Sequence, residues 1–139
     1  MATFNKINSF VENIAEKVHN LGADTLRVAL TNTAPVATNT VLANLTSVLP
    51  TTNLSGATPF NLTVSSSAQT TGTYKLVIAD LVLTATGAVG PFRYIAIYNF
   101  TATNSELIGW YDYGSSVTLA SGDTFTIDFD VTNGVLTIA

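Results

Sequence analysis

Apolar residues in the first twenty positions return every three or four places: Phe4, Ile7, Val11, Ile14, Val18 and Leu21, with Phe10 and Ala15 widening the stripe. That is the period of a helix with one buried face, and it predicts an amphipathic α-helix over residues 4–20. Thr3 is placed to cap it, Lys17 and His19 fall in the last turn where cations suit the helix dipole, and Gly22 follows as a terminator. After Gly22 the period changes to two. Leu26, Val28 and Leu30 alternate with Thr25, Arg27, Ala29 and Thr31, the signature of a half-buried strand.

Residues 32–59 mix Asn, Thr and Pro with scattered Leu and Val, and predict a connecting excursion with a short helical turn near 41–45. From Pro59 onward short strands follow one another, over 60–65, 73–79, 81–86, 92–98, 107–113, 117–119, 124–131 and 135–138. Turn residues punctuate them at 70–72, 121–123 and 132–134. Between Tyr74 and Leu83 the alternation slips by one at Ala79-Asp80-Leu81, which predicts a bulge or a bend from one sheet to another. The chain therefore reads as a single domain over 1–139, mainly β. The helix is followed over 24–139 by short strands in the pattern of a β-sandwich or barrel, with an antiparallel β-sandwich expected.

One strand is unusual. In P-F-R-Y-I-A-I-Y-N, Phe92, Tyr94, Ala96 and Tyr98 share one face and Arg93, Ile95, Ile97 and Asn99 the other, so neither face suits water. A central strand covered on both sides is implied. A lone buried charge is costly, and Arg93 stands two residues after Pro91. Its head is expected to reach outward near a sheet end and meet a carboxylate of this chain or of a neighbour.

Composition changes the picture in three ways. Only 10% of the 139 residues are charged, against about a quarter in an average soluble domain, while Thr, Ser and Asn make up about a third. With a net charge of −4 and five dispersed basic residues, there is no electrostatic footprint for nucleic acid. No apolar run is long enough to span a membrane, so the positive mean hydropathy points to surface buried in an assembly. The absence of cysteine excludes disulfides and thiolate metal sites. The opening M-A-T-F-N-K-I-N-S-F lacks a signal-peptide core, which points to synthesis in a cytoplasm.

Candidate chemistry is sparse. His19 is the single histidine, so no relay or metal site needing two imidazoles fits in one chain, and no G-x-S-x-G nucleophile elbow occurs. Glu12 and Glu16 share a helix face and read as a solvated pair. Asp123, Asp128 and Asp130 lie near one hairpin but lack the spacing of a calcium loop, and read as edge protection. In G-W-Y-D-Y-G, Trp110, Tyr111 and Asp112 are the types that hold sugars, although alternation sends Tyr111 and Tyr113 one way and Trp110 and Asp112 the other. The N-x-S/T sequons at Asn44, Asn53, Asn61 and Asn99 imply no glycosylation without a secretory signal. No enzyme activity, cofactor or metal is expected.

Across nearly its whole length the chain resembles small virion structural proteins of tailed bacteriophages. The residues that carry this are the F-N-K-I-N-S-F-V-E-N-I-A-E-K-V-H-N-L opening, D-T-L-R-V-A-L-T-N, G-P-F-R-Y-I-A-I-Y-N, G-W-Y-D-Y-G and L-A-S-G-D-T-F-T-I-D-F. The resemblance implies a virion part made in the host cytoplasm. Within that class, compact size, low charge and the lack of a fibrous repeat favour a capsid decoration (cement) protein, a jelly-roll-like sandwich that self-associates, as a trimer by expectation, and binds the major capsid protein. Phe4, Ile7, Val11 and Arg93 are the candidate interface residues. The alternatives are a carbohydrate or host-receptor module of a tail or fibre using Trp110, Tyr111 and Asp112, and a tail or head-completion component. Neither nucleic acid nor membrane is an expected partner.

Overall fold

Segments rich in β-branched and aromatic residues pair with one another along most of the chain. The computed structural model describes residues 2–139. Its elements run β1 (Asn5–Lys6), α1 (Phe10–Ala15), β2 (Leu26–Thr31), β3 (Val64–Thr70), β4 (Thr73–Ile78), β5 (Leu81–Thr84), β6 (Val89–Asn99), β7 (Leu107–Leu119), β8 (Thr124–Ile127) and β9 (Leu136–Ile138). The fold is mainly β and antiparallel. One sheet has the order β1-β7-β6-β2, and opposite it lie β3-β4-β9 and β5-β8.

The two shorter sheets meet at a bend. β4 leads through Ala79-Asp80 into β5, and β8 reaches β9 across a turn at 131–133, with Leu81 opposite Ile127 on one side of the bend and Leu76 opposite Leu136 on the other. At the bend the Phe129 N–H donates to Asp80 Oδ1 at 2.9 Å, a side-chain acceptor standing in for a ladder carbonyl. This is the slip expected at Ala79-Asp80-Leu81. Leu26, Val28 and Leu30 of β2, Ile95 and Ile97 of β6, Ile78, Leu83 and Ile127 fill the space between the layers. Burying each such side chain contributes roughly 1.5–3 kcal/mol.

The four-stranded sheet is covered on its second face too. Ala29, Ala96, Tyr98, Leu107 and Ile7 form a smaller cluster there, with Leu42, Leu45 and Trp110 packed against it. Leu42 belongs to a 3₁₀ turn, Leu42–Asn44, the short helical turn expected near 41–45 within the excursion over 32–59. The strand read from P-F-R-Y-I-A-I-Y-N is thus central and enclosed.

The helix over 4–20 is a correction: it spans only the six residues Phe10–Ala15. Ser9 stands at its N-cap without a side-chain cap bond. Asn5 and Lys6 are instead paired with Trp110 and Gly109, because Gly109 leaves room for the Phe4 ring. A Cβ there would overlap both that ring and the Asn5 carbonyl oxygen. At the other end Lys17 adopts φ 64°, a left-handed conformation that ends helical winding well before Gly22. The strand expected over 60–65 is also displaced. β3 occupies the polar run V-S-S-S-A-Q-T, joined to β4 by the two-residue turn Thr71-Gly72, whose φ values of 49° and 85° match the twist of a tight hairpin. Finally, 107–113 and 117–119 are a single strand, β7.

Candidate binding surface

Arg93 sits mid-strand in β6, not at a sheet end. Tyr94 lies opposite Asp112 but Phe92 lies opposite Val117, so β7 carries extra residues, Tyr113 to Ser116, against Arg93 alone. Gly114, with φ 98°, makes this bulge feasible. Its consequence is a change of face: Phe92 joins Ile95 and Ile97 in the inter-sheet core, which simple alternation forbids. Arg93 is pushed out beside Tyr94, with its guanidinium carbon 5.3 Å from that ring's centroid.

The carboxylate it meets is its own chain's Asp112. Arg93 Nε donates to Oδ1 at 2.7 Å and Nη2 to Oδ2 at 2.9 Å, a bidentate pair. The Gly114 N–H also donates to Oδ1, at 2.8 Å. The Arg93 hydrogen bonds, then the Gly114 N–H, hold the Asp112 carboxyl below its usual range. Asp112 is therefore occupied by the fold itself.

Trp110, Tyr111 and Asp112 do not form one platform. Trp110 packs on the outer cluster, while Tyr111 packs on the inter-sheet core, its ring 5.4 Å from Phe4 and 6.2 Å from Phe129. Burial, with a smaller contribution from Asp130, pushes the Tyr111 hydroxyl up to about 12.

What Tyr111 does join is an aromatic groove of about 350 Å³ whose walls include Ile95, Tyr111, Tyr113, Phe125, Ile127 and Phe129. It marks the open side of the two layers. β1 covers β7 at Gly109 and Trp110, and Ile7 and Thr40 hydrogen-bond Ile108 and Leu107, so the stretch from Tyr111 onward has no strand neighbour on that edge, and β8 has one only in β5. Aromatic contacts close the gap in place of strand pairing: Tyr113 lies 5.2 Å from Phe125, which lies 5.1 Å from Phe92. Tyr113 remains 53% exposed.

The other interface candidates separate. Ile7 is 1% exposed and spent within the chain, whereas Val11 is 56% exposed on α1. Phe4 is half-buried against the core. Glu12 and Glu16 are exposed. Asp130 accepts the N–H groups of Asn133 and Thr132 in its own turn, and Asp123 caps Ala120 N–H. Among the described residues no three acidic or histidine side chains gather as metal ligands, and no helix is long and apolar enough to cross a membrane.

One cluster has no counterpart in the pattern. His19, expected at an exposed helix end, is 5% exposed. Asn99 is fully buried, and its Oδ1 accepts the N–H groups of Thr101 and Ala102, which turns its amide nitrogen toward His19 Nδ1 (3.2 Å) and Asp24 Oδ2 (2.6 Å). Nδ1 must then be an acceptor, placing the imidazole proton on Nε2. Burial lowers the His19 pKa, opposed by Glu106 and Asp24. The only signal in the sequence was a polar Asn99 closing a strand covered on both faces.

No family model, curated protein or solved structure matches this chain.

Proposed function

We infer that this is a non-enzymatic structural protein of a bacteriophage virion, a decoration protein that self-associates and binds the major capsid shell. One observation carries the reading: the open side of the two layers presents an aromatic groove between unpaired edges of β7 and β8, on a chain with few charges. Aromatic enrichment and charge depletion mark the cores of lasting protein interfaces, and a free strand edge accepts an added strand. On this reading the sandwich is a jelly-roll variant, and the exposed Val11 and Tyr113 belong to contacts between copies or with the shell. Closure into symmetric rings, three-fold by expectation, satisfies such edges. The sugar-binding alternative loses its proposed platform, since Trp110 and Tyr111 face opposite ways and Asp112 is held by Arg93.

The test is co-sedimentation of labelled protein with capsids that lack it. Saturable binding to the shell, weakened at least tenfold by Tyr113→Glu, is the expected result. Binding only to tails, or to neither, contradicts the reading, and saturable glycan binding lost in Trp110→Ala restores the sugar module.

A further inference from the structure

Arg27 is the second arginine on the four-stranded sheet, and it is built in differently from Arg93. It lies on the outward face of β2, opposite Tyr98. Its Nε donates to Asn61 Oδ1 at 2.6 Å, and its guanidinium carbon stands 3.5 Å from the centroid of the Phe100 ring. Those two contacts fix the plane of the group. Stacking covers its face and leaves the in-plane N–H groups available, the arrangement that suits a planar anion. Among the described residues Arg93–Asp112 is the only ion pair, and Nε makes the only side-chain hydrogen bond of Arg27. A guanidinium has five N–H donors, so four are unspent.

The group also borders a pocket of about 300 Å³ between the sheet and the excursion, lined among others by Thr51, Thr58, Phe60, Asn61 and Tyr98. No acidic residue lines it, and Arg27 is its only charged residue. A solvated arginine would not need two positioning partners. We propose that this pocket is a carboxylate-binding site in which the Arg27 fork holds the two oxygens and the hydroxyl-bearing wall accepts the polar remainder of the ligand. The carboxylate comes either from an acidic sugar or from an acidic side chain of a partner protein. The proposal is independent of shell binding, which concerns the opposite edge of the sheet.

The test is an NMR titration of the labelled protein at low ionic strength, following the Arg27 Nε–H and the Asn61 amide. Glucuronate serves as the sugar-acid probe and N-acetylglutamate α-amide as the side-chain probe, with glucose and N-acetylglutamine amide as neutral counterparts. Saturable shifts with the carboxylates and none with the neutral probes are expected, weakening with added salt. Arg27→Lys, which keeps the charge and loses the fork, should weaken binding about tenfold, and Arg27→Gln should abolish it. Because Arg27→Gln could disturb the Phe100 stack, Arg27→Lys carries the test if the former does not fold. The stronger of the two carboxylate probes identifies the source. Equal shifts with neutral probes, no saturable shift with either carboxylate, or undiminished binding in Arg27→Lys would overturn the proposal.

Discussion

The two halves of β6 carry polar clusters of opposite kinds. In the first half Arg93 and Asp112 meet with side chains 38% and 40% exposed, at a bulge where the strand changes face. In the other, Asn99 is fully buried and ties His19 and Asp24 to the sheet. The first pair sits in water, where an ion pair gains little beyond orienting its strands. In the second Asn99 and His19 are buried and only Asp24 is half-exposed, so a hydrogen bond lost between Asn99 and His19 carries nearly its full desolvation penalty. Stability is expected to concentrate in the half without a formal ion pair.

The sharpest way to break this contrast is Asn99→Leu. It takes the partner from His19 Nδ1 and from the Thr101 and Ala102 N–H groups and leaves Asp24 with the Asn20 N–H as its remaining donor, and should cost about 3–5 kcal/mol in denaturant unfolding; a loss near zero would refute the contrast. Gly109→Ala comes next, forcing a methyl into the Phe4 ring and the Asn5 carbonyl. A destabilisation of about 1–3 kcal/mol is expected, with faster amide exchange at Ile7, whose N–H donates to the Ile108 carbonyl.

Acid should act through the buried half as well. The His19 pKa lies below its usual 6.5 in the folded protein, so between the two values the unfolded chain binds a proton that the folded one does not. Stability is full above pH 6.5 and falls as pH drops below it. The denaturant midpoint should therefore decline from about pH 7 to 5, a window above ordinary carboxylate titration, and His19→Gln should flatten that decline. The smallest effect belongs to Arg93→Gln. The unfolding midpoint should barely move, while the Asp112 carboxyl, held below 3.8 chiefly by Arg93, titrates at higher pH. A large loss of stability instead would mean that the exposed pair holds the bulge.

The difference between the halves also shows what a linear pattern can convey. The strands β2, β4, β5 and β6 were legible because apolar and β-branched residues run between turn signals, although in β2 burial departs from the expected alternation: Ala29 and Thr31, expected outward, are buried under the outer cluster and the excursion. The enclosed character of β6 was legible because both of its faces are apolar. The helix over 4–20 was misread because Phe4, Ile7, Phe10 and Ile14 are all buried or half-buried, as a helical stripe requires, but by a strand, a corner and a single short helix. The room at Gly109 that draws β1 into the sheet is a tertiary fact. β3 was missed because Ser and Gln carry no strand signal and it pairs through its turn to β4. The bulge at Tyr113 to Ser116 reverses the face of Phe92, and only the opposing strand reveals it. Of the site residues, the aromatics at 111, 113, 125 and 129 were visible singly, but their meeting across two layers was not.

The open side between β7 and β8 is the proposed binding surface. Hydrogen exchange of the protein, free and bound to capsids that lack it, tests this most directly. New protection of the amides of Thr124 to Ile127 and Tyr113 to Thr118 is expected on binding. Binding that leaves both edges exchanging as in the free protein, with protection elsewhere on the chain, would contradict it.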